Sequence, residues 1–373
     1  MKDASSTGSG TKAAGHAAAA GHVVAHGHVV AGGHVRVDGA AGEGGGQILR
    51  NALALSLATG RSFTIEGIRA GRARPGLLRQ HLACVRAATE IGRAAVEGDV
   101  LGSRSVSFAP ASVHAGDYSF AVGSAGSALL VLQSVLLPLL TASGSSRVTI
   151  EGGTHNPNAP TFEHFDRALL PVLRRMGARV TVTLERRGYF PAGGGRVVAQ
   201  IEGVAALRPL TLLERGDVLT RRVLAMSACL PGHIVEREAE EVRSRLDVEE
   251  MDVTLIRESD APGPGNAVVI EMESAAATEV VSSIGRQGRK AESVARDAAS
   301  QAKRYLGAGV PIGLHLADQL VVPFALAGGG AFRTLPLSAH TLTAIETARL
   351  FLPTRIEVSE SGIAATSVRF AMT

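Results

Sequence analysis

Glu43 lies in the stretch 38–50, D-G-A-A-G-E-G-G-G-Q-I-L-R, where Gly39, Gly42, Gly44, Gly45 and Gly46 lack a Cβ. Such a turn lets the backbone come close to a ligand and adopt positive φ. It runs into the apolar segment 47–58, whose helical start would offer free N–H groups and a positive dipole end to a phosphate. A carboxylate in a phosphate-friendly turn makes chemical sense when a divalent cation lies between the two, since hard cations take carboxylate and phosphate oxygens together. Taken alone, the stretch reads equally well as a glycine turn with a solvated Glu. It is neither a Walker loop nor a dinucleotide fingerprint.

Three other clusters carry chemistry at close spacing. The segment I-R-A-G-R-A-R-P-G-L-L-R-Q-H sets Arg69, Arg72, Arg74, Arg79, Gln80 and His81 around a loop broken at Pro75 and Gly76. Arginines on such a loop can clamp phosphate bidentately, which Lys cannot. Arg69 and Arg72 are read that way, Arg79 as part of a solvated face. In H-L-A-D-Q-L-V-V-P-F-A-L-A-G-G-G, Asp318 and Gln319 stand on an otherwise apolar helix, and a buried carboxylate needs a partner. In P-L-S-A-H-T-L-T, Ser338 suits an N-cap and puts His340 in the first helical turn, where the dipole disfavours imidazolium and keeps the ring neutral, as a nucleophile must be. The polar loop E-G-G-T-H-N-P-N-A-P adds His155, either a ligand contact or a plain loop histidine.

The elements that must position these residues recur. A glycine turn, an apolar helix and a strand ending T-I-E-G appear twice, with Glu66 and Glu151 85 positions apart. Each strand leads to another amphipathic helix, 76–92 and then 161–177, the second followed by the alternating strand 178–184. A weaker third copy comprises helix 316–327, strand 331–335, helix 338–351 and strand 354–358. Three βαβα-type units with helix-covered sheets give an α/β (α+β) fold.

Between copies two and three lies a differently patterned piece, 214–308, with helices at 236–246 and 291–306 around the breaker run A-P-G-P-G-N. Residues 214–305 hold 13 basic and 17 acidic side chains, net −4, against +4 for the whole chain, so positive charge gathers in the repeats, where it would steer an anionic substrate. The piece reads as a small α/β insert domain, separable from the chemistry. Residues 1–33, rich in Gly, Ala and His, lack periodicity and read as a disordered tail, with no apolar run of the kind a secretory leader needs. The catalytic domain is then 34–213 with 309–373. Two distant cysteines, Cys84 and Cys229, suggest neither a disulfide framework nor a zinc site and fit a reducing cytoplasm. With no Trp and 3% aromatic residues, stacking platforms for unpaired bases are scarce.

Taken together, G-E-G-G-G-Q-I-L-R, R-A-G-R-A-R-P-G-L-L-R-Q-H, D-Y-S-F-A-V-G-S-A-G-S-A-L-L-V-L-Q, G-G-T-H-N-P-N-A-P, G-Y-F-P-A-G-G-G and L-A-D-Q-L-V-V-P-F-A-L-A-G-G-G resemble the RNA 3'-terminal phosphate cyclase family, in one order from about residue 34 to 370. The resemblance implies three repeats resembling the C-terminal domain of translation initiation factor 3, interrupted by one smaller insert. It implies an enzyme that uses ATP and a divalent metal, magnesium or manganese, to turn an RNA 3'-terminal phosphate into a 2',3'-cyclic phosphate through a histidine–AMP and an RNA-ppA intermediate. By position, His340 matches the nucleophile and Glu43 the metal ligand. Arg50, Arg69, Arg72 and Gln80 match phosphate-contacting and active-site polar residues, and Gln133, Pro160, His315, Asp318 and Gln319 the adenylate pocket. Two positions depart from the pattern: His315 stands for the usual Tyr, and Ala41 where Gln is expected. The implied partners are RNA ending in 3'-phosphate and ATP, without a membrane and with a homo-oligomer left open. The competing reading is a silent cyclase-like protein of ribosome assembly, and a remoter one an enolpyruvyl transferase.

Overall fold

Four strands and two helices recur three times along the chain, a fuller unit than the sequence pattern shows. The structure, a computed structural model, describes residues 33–246, 252–361 and 364–373, so the expected tail lies outside the described residues but for Gly33. The first unit comprises β1 (Val35–Asp38), α1 (Gln47–Thr59), β2 (Phe63–Glu66), α2 (Arg79–Gly92), β3 (Ala95–Glu97) and β4 (Ser105–Ala109). The second has β5 (Asp117–Ala121), α3 (Ala128–Thr141), β6 (Ser145–Gly152), a composite helix, β7 (Arg179–Arg186) and β8 (Gly195–Glu202). That helix runs as α4 (Phe162–His164), a π segment (Phe165–Leu169) and α5 (Leu170–Arg175). Pro171 explains the irregularity, because it has no N–H for the Arg167 carbonyl and a widened turn accommodates its ring.

The third unit opens with β9 (Leu210–Leu212) and is interrupted there by β10 (Val218–Ala228), α6 (His233–Leu246), β11 (Val253–Glu258), β12 (Gly265–Ser274), β13 (Thr278–Ile284) and α7 (Ala291–Ala308). It resumes with α8 (Leu314–Leu326), β14 (Gly329–Thr334), α9 (Ala339–Phe351), β15 (Thr354–Glu360) and β16 (Thr366–Met372). The sheet orders β1-β2-β4-β3, β5-β6-β8-β7 and β9-β14-β16-β15 are one topology repeated. In each, the first two strands are parallel, with Val35 opposite Phe63, Tyr118 opposite Val148 and Leu210 opposite Gly330. Parallel neighbours need a crossover, supplied by α1, by α3 and, after the interruption, by α8. The opening strands escape a periodicity search because they span only three to five residues.

One apolar core joins the three units through residues such as Leu49, Leu132 and Phe332. Helix α1 is buried over most of its circumference and packs against α2, α3 and α9. A fourth sheet, β11-β10-β12-β13, belongs to the interrupting segment. Both its faces are covered. Val223, Val268 and Ile270 pack with α6 and α7, while the alternate residues Leu224, Met226, Ala267 and Val269 join the main core. Strands buried on both faces read as continuous apolar runs, as V-L-A-M and A-V-V-I do. Cys84 is buried and Cys229 exposed, both as free thiols. Among the described residues, no helix is long and apolar enough to cross a membrane.

Candidate active site

The glycine turn between β1 and α1 threads a gap that side chains would close. Gly42 and Gly44 have φ of 59° and 61°. A Cβ on Gly46 would run into the His81 ring, and one on Gly42 into Thr343 of α9. The turn is therefore pressed against α9, and the Glu43 N–H donates to Thr343 Oγ1 at 3.0 Å. That contact brings Glu43 beside His340 in the first turn of α9, whose N-cap Ser338 accepts from the Thr341 N–H at 3.0 Å.

His340 Nδ1 lies 2.9 Å from Gln47 Oε1 and 3.9 Å from Glu43 Oε2. Both are acceptors, so Nδ1 carries the proton and Nε2 keeps a free lone pair. Burial first, then the charges of Arg50 and Arg72, hold the imidazole pKa below its ordinary value. Burial and the two guanidiniums thus act in the direction that the first turn of the helix also favours. His340, 46% exposed at the side chain, thus presents a neutral nitrogen to the cavity.

The arginines do different things. Arg72 pairs with Glu43, which is only 10% exposed at its side chain. Arg69 adopts φ 55°, and its Nη1 donates to the carbonyls of Arg74 and Gly76, so it braces its own loop as well as facing the cavity. Arg50, on α1, is desolvated and faces Asp318, whose carboxyl is pushed up to about 7 by burial against the pull of that guanidinium. Exposed Arg79 donates to the Gly123 carbonyl at 2.6 Å, outside the cavity lining. Gln80 accepts from the Ser127 N–H at 2.6 Å and so ties the loop to the N-terminus of α3.

At the other end, Gln133 Nε2 donates to Gln319 Oε1 at 2.7 Å, joining α3 to α8. Pro160 and His315 stand on the same lining. All eleven site residues expected from the sequence thus face one cavity of about 690 Å³, the size of a cofactor pocket. His155 faces elsewhere. It is fully buried, bonded to Thr154 and Glu163 and stacked on Tyr189 at 5.0 Å, a structural histidine.

Sequence reasoning missed part of the lining. His81 is buried, its pKa pushed down to about 3 by burial and then by Arg50 and Arg69. It was visible in the arginine segment but carried no assigned role. Buried His164 also faces the cavity, with no local signal to mark it. The interrupting segment contributes Val280, Ser283, Arg289 and Gln301 to the lining, against the expectation that it stands apart from the chemistry.

A family model described as RNA 3'-terminal phosphate cyclase matches residues 41–358, which include all eleven site residues. The chain belongs to the RNA 3'-terminal phosphate cyclase family. The RNA 3'-terminal phosphate cyclase of Koribacter versatilis is 49% identical over 324 residues, covering 87% of this chain and 91% of that protein. That of Salmonella typhimurium is 49% identical over 328 residues, 87% of this chain and 96% of its own. The cyclase of Ectopseudomonas mendocina is 48% identical over 325 residues, with 87% and 94% covered. The family match spans the interrupting segment as well as the repeats, so this cyclase-family chain carries the insert as part of its matched length.

Proposed function

We propose that the chain converts the 3'-terminal phosphate of RNA into a 2',3'-cyclic phosphate at the expense of ATP, through AMP held on His340. The observation that carries this reading is the placement of His340: Nδ1 lies 2.9 Å from Gln47 Oε1, which leaves Nε2 unbonded among the described residues, on a cavity bearing Arg50, Arg69 and Arg72. Nε2 attacks the α-phosphorus of ATP, an N–P bond forms, the α–β phosphoanhydride breaks, and pyrophosphate leaves. An oxygen of the RNA 3'-phosphate then attacks the same phosphorus and breaks the N–P bond, giving RNA-ppA. The adjacent 2'-OH closes on the 3'-phosphorus, loses its proton and expels AMP. Splitting the transfer this way replaces one difficult displacement by easier ones, and the arginines neutralise charge building on the phosphates.

Glu43 fits a divalent cation of the kind that binds through one carboxylate together with substrate phosphates. Among the described residues no group of three or more His, Cys, Asp or Glu could hold a metal by itself. An ion at Glu43 would supply charge neutralisation to the triphosphate, and Arg72 would yield the carboxylate and turn to phosphate.

Incubation with α-labelled ATP should label the protein with AMP. The bond should be lost in acid and kept in alkali, as expected of a phosphoramidate. His340→Ala and His340→Asn should abolish labelling and cyclisation while leaving thermal melting unchanged. Labelling that persists in either variant rules out this nucleophile.

A further inference from the structure

We infer that His164 fixes the hydrogen-bonding sense of the nucleobase end of the cavity and so selects a 6-aminopurine over a 6-oxopurine. The inference rests on the nucleotide-binding reading above and concerns a residue which that reading does not use. His164 is a positioning residue: it acts through Gln319 and Gln133.

The chain of logic starts at a group that cannot change. His164 Nδ1 lies 2.8 Å from the Val280 carbonyl of β13, and a carbonyl only accepts, so Nδ1 holds the proton. His164 is 3% exposed, and burial pushes its pKa down to about 4, so the ring is neutral near pH 7 and Nε2 is an acceptor. Gln319 Nε2 sits 3.0 Å from that acceptor and 3.2 Å from the His315 carbonyl, so both of its N–H groups are taken. The Gln319 carbonyl oxygen must then face Gln133, and the Gln133 amide nitrogen meets it at 2.7 Å. What Gln133 has left for a ligand is its Oε1 and one N–H, neither engaged among the described residues.

A carboxamide offering one acceptor and one donor pairs with the amino group and neighbouring ring nitrogen of adenine, the pairing by which Gln reads adenine in DNA. A 6-oxopurine puts an oxygen acceptor where adenine has its amino donor, beside a second acceptor on the N7 edge and beside a ring N–H on the N1 edge, so on either edge the Gln133 Oε1 would meet an acceptor. Turning Gln133 over to suit it would set Oε1 against the Gln319 oxygen. Turning Gln319 as well would set that oxygen against the His164 lone pair, and the Val280 carbonyl forbids the last turn. Each reversal leaves two acceptors facing one another, a discrimination built from repulsion as much as attraction.

The test uses the full-length protein and α-labelled triphosphates. The unaltered protein should be labelled from inosine triphosphate at least about tenfold less efficiently, by kcat/KM, than from ATP, the worth of one hydrogen bond of wrong sense. Purine riboside triphosphate, which lacks only the 6-amino group, should fall between them. His164→Phe fills the same space without either nitrogen and should bring the ATP-to-inosine-triphosphate ratio close to one. His164→Gln, whose carboxamide can donate to Val280 and accept from Gln319, should restore it. Equal use of ATP and inosine triphosphate by the unaltered protein overturns the inference, whether or not the variants fold. An unchanged ratio in a folded His164→Phe protein overturns it too. Absence of label from ATP itself would instead remove the nucleotidyl-transfer reading, and this inference with it.

Discussion

The proton on His340 Nδ1 connects Gln47 and Glu43 to the chemistry, and burial, together with the two arginines that further depress the imidazole pKa, sets how far into acid the neutral form survives. Arg72→Gln removes one of those charges and also frees the Glu43 carboxylate to face the ring. Both changes favour imidazolium. The His340 pKa, read from its ring protons by NMR, should therefore rise, and the acid limb of AMP uptake should move to higher pH with it. An unmoved titration would show that Arg72 does not tune this ring. Arg69 and Arg72 look alike in sequence, yet Arg69 is bonded to two carbonyls of its own loop. Arg69→Ala should thus cost about 1–2 kcal/mol of stability along with phosphate binding, whereas Arg72→Ala should leave thermal melting nearly unchanged. Equal melting temperatures for the two variants would contradict that distinction.

Among the elements, the glycine turn and the start of α8 carry the sharpest constraints. Gly46→Ala would drive a methyl into the His81 ring beneath the cavity, so AMP uptake should fall even where the protein remains folded; full uptake would mean the ring can step aside. At α8, Glu279 of β13 is 1% exposed and accepts from the Gly313 N–H at 2.9 Å. Burial pushes its carboxyl up to about 8, above the ordinary 4.5. A raised folded-state pKa means that its contribution is fully present below the unfolded value and is lost as pH rises through about 8. Between these pH values the melting temperature should fall more steeply for the native chain than for Glu279→Gln, which keeps the acceptor without the charge. Parallel profiles would place the titration elsewhere.

In the molecule as a whole, we propose 214–308 as an insert that the repeats need. Sequence alone suggests that excising it with a Gly-Ser bridge leaves a core still able to take AMP. The sheet argues otherwise, because Leu224, Met226, Ala267 and Val269 belong to the main core, and Val280 holds His164 at the cavity. Excision would expose that apolar face to water, at about 25 cal/mol for each Å². The shortened chain should aggregate or lose AMP uptake. A soluble core with full labelling would restore the simpler view.

What the sequence determined by itself was local chemistry: the glycine turn, the arginine loop, the Asp318–Gln319 pair on an apolar helix, the capped helix bearing His340, and the repeat that orders them. These follow from residue types at short spacing, where backbone freedom, helix periodicity and charge act on neighbours. The short edge strands were invisible because three to five residues hold too little pattern. Which atoms meet was decided only by the tertiary structure. Glu43 reaches Thr343 across 300 positions of chain, His340 reaches Gln47 across 293, and Gln133 reaches Gln319 across 186. Arg72 on Glu43, the brace role of Arg69, the polarity of Gln133 and the insert's share of the cavity all depend on such meetings. A hydrogen bond acts over about 3 Å, so its partners are settled by how the units pack and not by their order along the chain.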